Sequence, residues 1–222
     1  MSQCISKRPL IVKVAPSKQH DRLDTIYYHP KFNDLEAALA MLGRELIPAE
    51  QIAELITDGT HQTPSYIEPG NDSIPLLSST NIKENGIEIN DLKHISLQEH
   101  LSLKKSNPKP NDVLLSVAGN IGTAAVFHGE LDACSLLRSV ALIRLKDAWE
   151  PEFVAVFINS KIGKLQIERL QKGIAVKTFR LGEINEFCLP LTTPPEQSCI
   201  IERYNHIRGK RREIEARISR CR

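Results

Sequence analysis

Apolar positions in this chain fall into short runs separated by dense turn chemistry, and helical spacing is confined to a few stretches. Residues 10–14 (Leu-Ile-Val-Lys-Val) read as a short strand, and residues 22–30, with Tyr27 and Tyr28, as a turn or extended piece. Leu35, Ala38, Leu39 and Leu42 lie on one helical face, with Asn33 placed as N-cap and Gly43 as the stop. Ile52, Leu55 and Ile56 fit a strand or a helix over residues 47–56, and the pattern does not choose. Residues 57–64 (Thr-Asp-Gly-Thr-His-Gln-Thr-Pro) are predicted to form an exposed loop. A strand follows at 74–78, then polar Ser79-Thr80-Asn81, then a hairpin signal at Asn85-Gly86 with Ile87 and Ile89 alternating after it. His94-Ile95-Ser96 continues the β pattern. Ser96 and Glu99 have capping-box spacing, which starts a short helix reaching about residue 105. The prolines at 108 and 110 break the chain. Residues 113–117, 124–127 and 140–145 then read as strands, and 118–123 as a glycine-containing turn. One helix is expected over 151–170, ended by Gln171-Lys172-Gly173, and a last strand over 186–191.

After Pro194-Pro195 no proline occurs, so a helix of about 27 residues and about 40 Å is expected. Ile200, Ile207 and Ile214 are spaced by seven, and Tyr204, Arg211 and Ile218 form the companion row. This is a heptad seam with a basic flaw at Arg211 and a weak spot at Gly209. Such a stripe calls for a second helix or for packing against its own domain.

Charge alters this picture. The 222 residues carry 29 Lys/Arg and 27 Asp/Glu, a net of +2. Residues 161–222 alone hold 14 Lys/Arg and 7 Asp/Glu, while the first 160 are net acidic. That asymmetry points either to a polyanion or partner surface, or to a solvated basic helix. At 41% hydrophobic and 25% charged, the composition excludes disordered and collagen-like classes. Five scattered cysteines without a C-x-x-C pair argue against a disulfide framework or a zinc site. His94 and His100 are read as ordinary surface residues. No apolar run approaches a membrane span or a secretory leader, so a cytoplasmic protein is expected.

Catalytic patterns are weak. Asn107-Pro108-Lys109-Pro110 lacks the second adjacent proline and the aromatic of an amino-methyltransferase loop. Gly119-Asn120-Ile121-Gly122 precedes a strand rather than a helix, unlike a dinucleotide or phosphate loop. Asp72 with Asp91 and Lys93 is too loose a triplet to define a metal-dependent nuclease. The chain is read as non-catalytic.

An ordered set of segments carries more information. It comprises 56–66 (Ile-Thr-Asp-Gly-Thr-His-Gln-Thr-Pro-Ser-Tyr), 74–78 running into Asn81-Ile82, 86–89 (Gly-Ile-Glu-Ile), 94–96, 110–116 with Gly119-Asn120-Ile121-Gly122, and 189–197 (Leu-Pro-Leu-Thr-Thr-Pro-Pro-Glu-Gln) leading into the long helix. In order and spacing this set resembles the target-recognition domain of the DNA specificity subunit of type I restriction-modification systems. The resemblance covers roughly residues 47–222. It implies an α+β recognition domain with a twisted, mostly antiparallel sheet and a long C-terminal coiled-coil helix. Residues 1–46 would be a lead-in, 47–193 the DNA-reading domain, and 194–222 the helix for dimerisation and methyltransferase docking. The implied partners are double-stranded DNA, a modification methyltransferase subunit that carries S-adenosylmethionine, and a restriction subunit. No cofactor is expected in this chain. The family pattern has two recognition domains and two helices, whereas this chain has one of each. The chain is therefore expected to be a half-subunit, a truncated gene product or a cassette, and the free isoleucine seam favours a homodimer through the helix.

For DNA contact the candidates are Thr60, His61, Gln62, Thr63 and Tyr66 in the first loop, and Ser79, Thr80, Asn81 and Lys83 in the second. Gln can pair with adenine through two hydrogen bonds. Gly119 and Asn120, beside Gly122, would let backbone approach a phosphate. Lys172, Lys177, Thr178 and Arg180 form a basic loop suited to backbone neutralisation. Simpler readings stand beside these: Asp58-Gly59 as a plain turn, and Gly119 and Gly122 as hairpin geometry. The competing functions are a non-catalytic coiled-coil adaptor, a recombination cassette fragment, and a stand-alone nuclease.

Overall fold

The computed structural model describes residues 27–60, 62–173 and 177–220, so the expected strand at 10–14 and the position of His61 lie outside it. At its centre is a four-stranded antiparallel sheet in the order β2-β10-β7-β8, formed by β2 (Ala53–Asp58), β7 (Val113–Ser116), β8 (Ala124–Val126) and β10 (Val140–Leu145). Strands β7, β8 and β10 are apolar at nearly every position because both faces are covered, whereas the edge strand β2 carries Glu54, Thr57 and Asp58. Val113, Leu115, Ala124, Val126, Ala141 and Ile143 face one core with Phe153, Val154 and Ile158. Leu114, Ala125, Phe127, Val140 and Leu142 face a second core with Leu77, Ile82 and Leu136. The alternation is the period-two pattern of a strand, read on both sides.

The first core is roofed by α4 (Pro151–Asn159), α5 (Lys161–Leu170) and α6 (Leu181–Asn185). The second is closed by β3 (Ser73–Leu77), the β4–β5 hairpin (Ile82–Lys83 and Gly86–Ile87) and β9 (Ser135–Leu136). β3 pairs antiparallel with β6 (Lys93–Ser96) and parallel with β9. The expected α+β architecture, mostly antiparallel and ending in a long helix, is therefore present, although the β structure is divided among four small sheets.

The ambiguous stretch 47–56 is both things in turn: β1 (Leu46–Pro48), one turn of helix α2 (Ala49–Ile52), then β2. The helix α1 (Asn33–Met41) forms as expected and stops before Gly43, whose φ is +60°. Asn33 is not its cap, because a 3-10 turn over Pro30–Phe32 runs directly into it. α3 (Leu97–Ser102) is capped by Ser96, whose Oγ accepts from Glu99 N at 3.2 Å.

The single helix expected over 151–170 is two. Ser160 adopts extended backbone, donates to Phe157 O at 2.6 Å and accepts from Gly163 N at 3.1 Å. It closes one helix and caps the next, while the apolar spacing continues through the break. Gly163 permits the tight corner, since a Cβ there would lie 2.2 Å from Phe157 O.

β11 (Cys188–Pro190) pairs with β1, and α7 (Pro194–Arg220) follows. Glu196 accepts from Thr193 N at 2.9 Å and from Arg44 at 3.1 and 2.5 Å. The Arg44 guanidinium and the Thr193 backbone amide hold its carboxyl down at about 2. Gln197 is fully buried: it accepts from Glu150 N at 2.7 Å and donates to Ala148 O and Thr192 O, both at 3.2 Å. The Pro-Glu-Gln segment thus fastens the start of α7 to the domain.

Candidate nucleic-acid interface

Strand register brings distant loops to one edge of the molecule. Asp58 at the end of β2 pairs with Ala141, Ser116 at the end of β7 pairs with Val140, and Leu77 at the end of β3 pairs with Leu136. The segments that follow β2, β3 and β7, and the turn between β9 and β10, therefore leave the sheets together. Cross-links hold them. Ser79 N donates to Ser139 Oγ at 3.1 Å, Val117 N to Ser139 O at 2.9 Å, and Thr60 N to Leu136 O at 3.0 Å. A Cβ on Gly119, whose φ is +71°, would stand 3.4 Å from Ser79 Oγ.

Beside this edge lies an open cleft of about 640 Å³, lined by Asp58, Val117, Ala118, Arg138 and residues 178–182 among others. Arg180 and Arg138 bring two guanidiniums to it. Neither makes a side-chain hydrogen bond or ion pair within the described residues. Arg138 was not among the expected contacts, because a lone arginine between two short strands carries no local signal.

The expected contact residues divide into groups. Thr60 is buried rather than exposed, and its Oγ1 turns back to Gln62 O at 3.3 Å, while Gln62 and Thr63 remain exposed. Asp58-Gly59 is not a turn. Asp58 ends β2 and Gly59 passes against the Leu136 backbone. Tyr66 is exposed and holds the Lys93 ammonium 4.3 Å over its ring. Ser79 is half-buried, and Thr80 is exposed with Oγ1 2.8 Å from Ser78 Oγ. Asn81 is buried and spent on local structure: it accepts from Ser78 N at 2.9 Å and donates to Glu88 O at 3.0 Å. Lys83 pairs with Glu88 at 3.3 Å. Gly119 and Asn120 are exposed. Gly122, at φ +87°, is buried against Ile167.

In the basic loop, Lys172 and Thr178 exchange backbone hydrogen bonds at 3.0 and 2.9 Å. The Lys172 ammonium sits 2.7 Å from the buried carboxylate of Glu183, and Lys177 lies 3.7 Å from Glu168. Glu168 is held below the usual carboxylate range, chiefly by its hydrogen bond from Lys31. Two of the three cations of this loop are thus paired within the fold.

His94 and His100 are half-buried, not ordinary surface residues. His100 Nδ1 lies 2.8 Å from Ser135 Oγ and Nε2 lies 3.3 Å from Asn107. Burial lowers the His100 pKa below 6.5. Its folded form resists protonation that the unfolded chain accepts, so stability is expected to fall as pH drops through about 6.5. The stability difference between wild type and His100→Gln, from urea midpoints at pH 8 and pH 5, should shift against wild type in acid. A constant difference would refute this.

Among the described residues no cluster of three or more His, Cys, Asp or Glu is placed to hold a metal ion, and no helix is long and apolar enough to cross a membrane.

No protein-family model matches the chain. It is 24% identical over 159 residues to the specificity subunit of the type I restriction enzyme EcoBI from Escherichia coli, covering 69% of this chain and 33% of that one. In fold it is similar to the HsdS subunit from Thermoanaerobacter tengcongensis, with a TM-score of 0.57 and 17% identity, covering 80% of this chain and 43% of that one. A chain from a structure describing complex assembly and conformational transition of a type I restriction-modification system gives 0.58 and 18%, covering 83% and 45%. These matches agree with the resemblance read from the ordered segments: the chain is similar to type I specificity subunits, over the span of a single target-recognition domain. It covers about a third of the curated relative's length and under half of each of these two structures.

Proposed function

We propose that this chain reads one half of a bipartite target in double-stranded DNA, as the specificity component of a type I restriction-modification assembly. The observation that carries this reading is the meeting of four loop segments, far apart in sequence, beside a cleft with two arginines that are unpaired among the described residues. Residues 47–193 serve as the reading domain. Residues 194–222 dock a modification methyltransferase subunit, which holds S-adenosylmethionine and methylates adenine, and a restriction subunit joins that complex. This chain contributes recognition and no catalysis.

The helix supports pairing with a second copy. Gln197, Ile201, Tyr204 and Arg208 turn toward the domain, so Tyr204 leaves the expected outer row. Ile200, Ile207, Ile214 and Ile218 stay 40–66% exposed, and every described position from 209 to 219 is exposed. Burying the exposed part of each isoleucine in a homodimer gains about 1 kcal/mol. A two-fold dimer would present two reading edges to a split symmetric site.

The test is selection from a randomised duplex pool with the full chain at low salt. The expected product is a motif of two specified blocks separated by an unspecified spacer, with affinity falling steeply with salt. Ile207→Asp should abolish the dimer in light scattering and leave a single block. A pool without enrichment would overturn the proposal.

A further inference from the structure

We infer that Arg138 is a base-reading residue of this interface, its guanidinium donating to O6 and N7 of a guanine in the major groove. The inference rests on the DNA-reading function proposed above.

Its anchoring carries the first part of the argument. Leu137 N donates to Leu77 O at 2.8 Å and Val140 N to Leu137 O at 2.9 Å. Ser139 accepts from Val117 N through its carbonyl and from Ser79 N through its hydroxyl. Leu136 and Val140, on either side, are fully buried. With Thr60 N donating to Leu136 O, Arg138 projects from backbone fixed by the segments after β2, β3 and β7, yet its side chain is exposed and has no partner among the described residues. Reading a base edge demands a rigid mount of this kind, whereas a phosphate contact does not.

The cleft's mixed polarity carries the second part. Asp58 lines it with the arginines, and the apolar Val117 and Ala118 form another wall. A phosphate offers only acceptors and is repelled by a carboxylate. A G·C edge offers two acceptors on guanine that match a guanidinium fork. Lys172 and Lys177 differ from Arg138, since both already face carboxylates.

Duplex selection with the full-length wild type, Arg138→Ala and Arg138→Lys tests this, with thermal melting confirming that the variants fold. Wild type should specify a G·C pair at one position of the half-site. Both variants should lose about 5- to 150-fold discrimination there and keep the other positions. Arg138→Lys should preserve the salt dependence while losing the base preference, because an ammonium keeps the charge and not the fork. If Arg138→Ala selects the unchanged motif with uniformly weaker binding, Arg138 is a phosphate contact and the inference fails while the DNA-reading function stands. If wild type selects no motif, the function itself falls, and the role of Arg138 with it.

Discussion

Gly59→Ala is expected to cost about 3 kcal/mol or more of stability and to abolish DNA binding with it. A Cβ at this position would lie 2.0 Å from Leu136 O, 2.3 Å from Leu136 C and 2.5 Å from Leu137 C. All three are backbone atoms, so no rotamer change relieves the overlap. The neighbouring hydrogen bonds, Gly59 N to Val140 O at 3.3 Å and Thr60 N to Leu136 O at 3.0 Å, draw the same segments together. Retreat would separate β2 from the β9–β10 connection, on which Arg138 stands. Gly70→Ala is the control, because nothing lies within 4 Å of a Cβ there. Urea unfolding should separate the two variants clearly. A Gly59→Ala midpoint equal to that of Gly70→Ala would refute the close approach.

Gly59 also shows what the sequence could and could not reveal. Asp-Gly is a turn signal by local chemistry, yet here the glycine exists because another strand passes against it. Local information was enough where the cause is local. The Ser96 cap and the doubly buried strand β7 formed as expected, and so did the hairpin, although its turn is Glu84-Asn85 and Gly86, at φ +130°, already pairs with Lys83. It was not enough where a tertiary partner decides. Ser160 splits a helix without interrupting the apolar pattern, and β9 is two residues long and exists because β3 pairs with it. The candidate site follows the same rule. Turn-rich loops were legible as segments, but whether a cation is free depends on carboxylates elsewhere in the chain. Lys172 is occupied by Glu183 and Lys177 lies beside Glu168, whereas Arg138, in a short unpatterned connection, has no partner among the described residues.

Asp112→Ala is expected to cost about 2–4 kcal/mol while leaving the selected DNA motif unchanged. The Asp112 side chain is 2% exposed and accepts from Arg144 Nε at 2.8 Å, from Arg144 Nη2 at 2.6 Å and from Lys109 N at 2.7 Å. The hydrogen bonds the guanidinium donates to this carboxylate are the main reason it holds its proton more tightly than usual. Removing the carboxylate leaves a mostly buried guanidinium and a backbone amide without their acceptor. Partial solvent access at Arg144 and the nearby charge of Glu54 place the cost below that of a fully buried pair. Replacing both members by apolar side chains removes the stranded charge, so Asp112→Ala with Arg144→Leu should be more stable than Asp112→Ala alone. A double variant less stable than the single would contradict this. The pair also separates stability from reading. It sits at the start of β7, whereas the reading loops leave the other end of that strand at Ser116, about 13 Å away for four residues. Below its melting temperature, Asp112→Ala should therefore bind the wild-type motif, and a changed motif would show that the reading edge is not confined to the loops around Arg138.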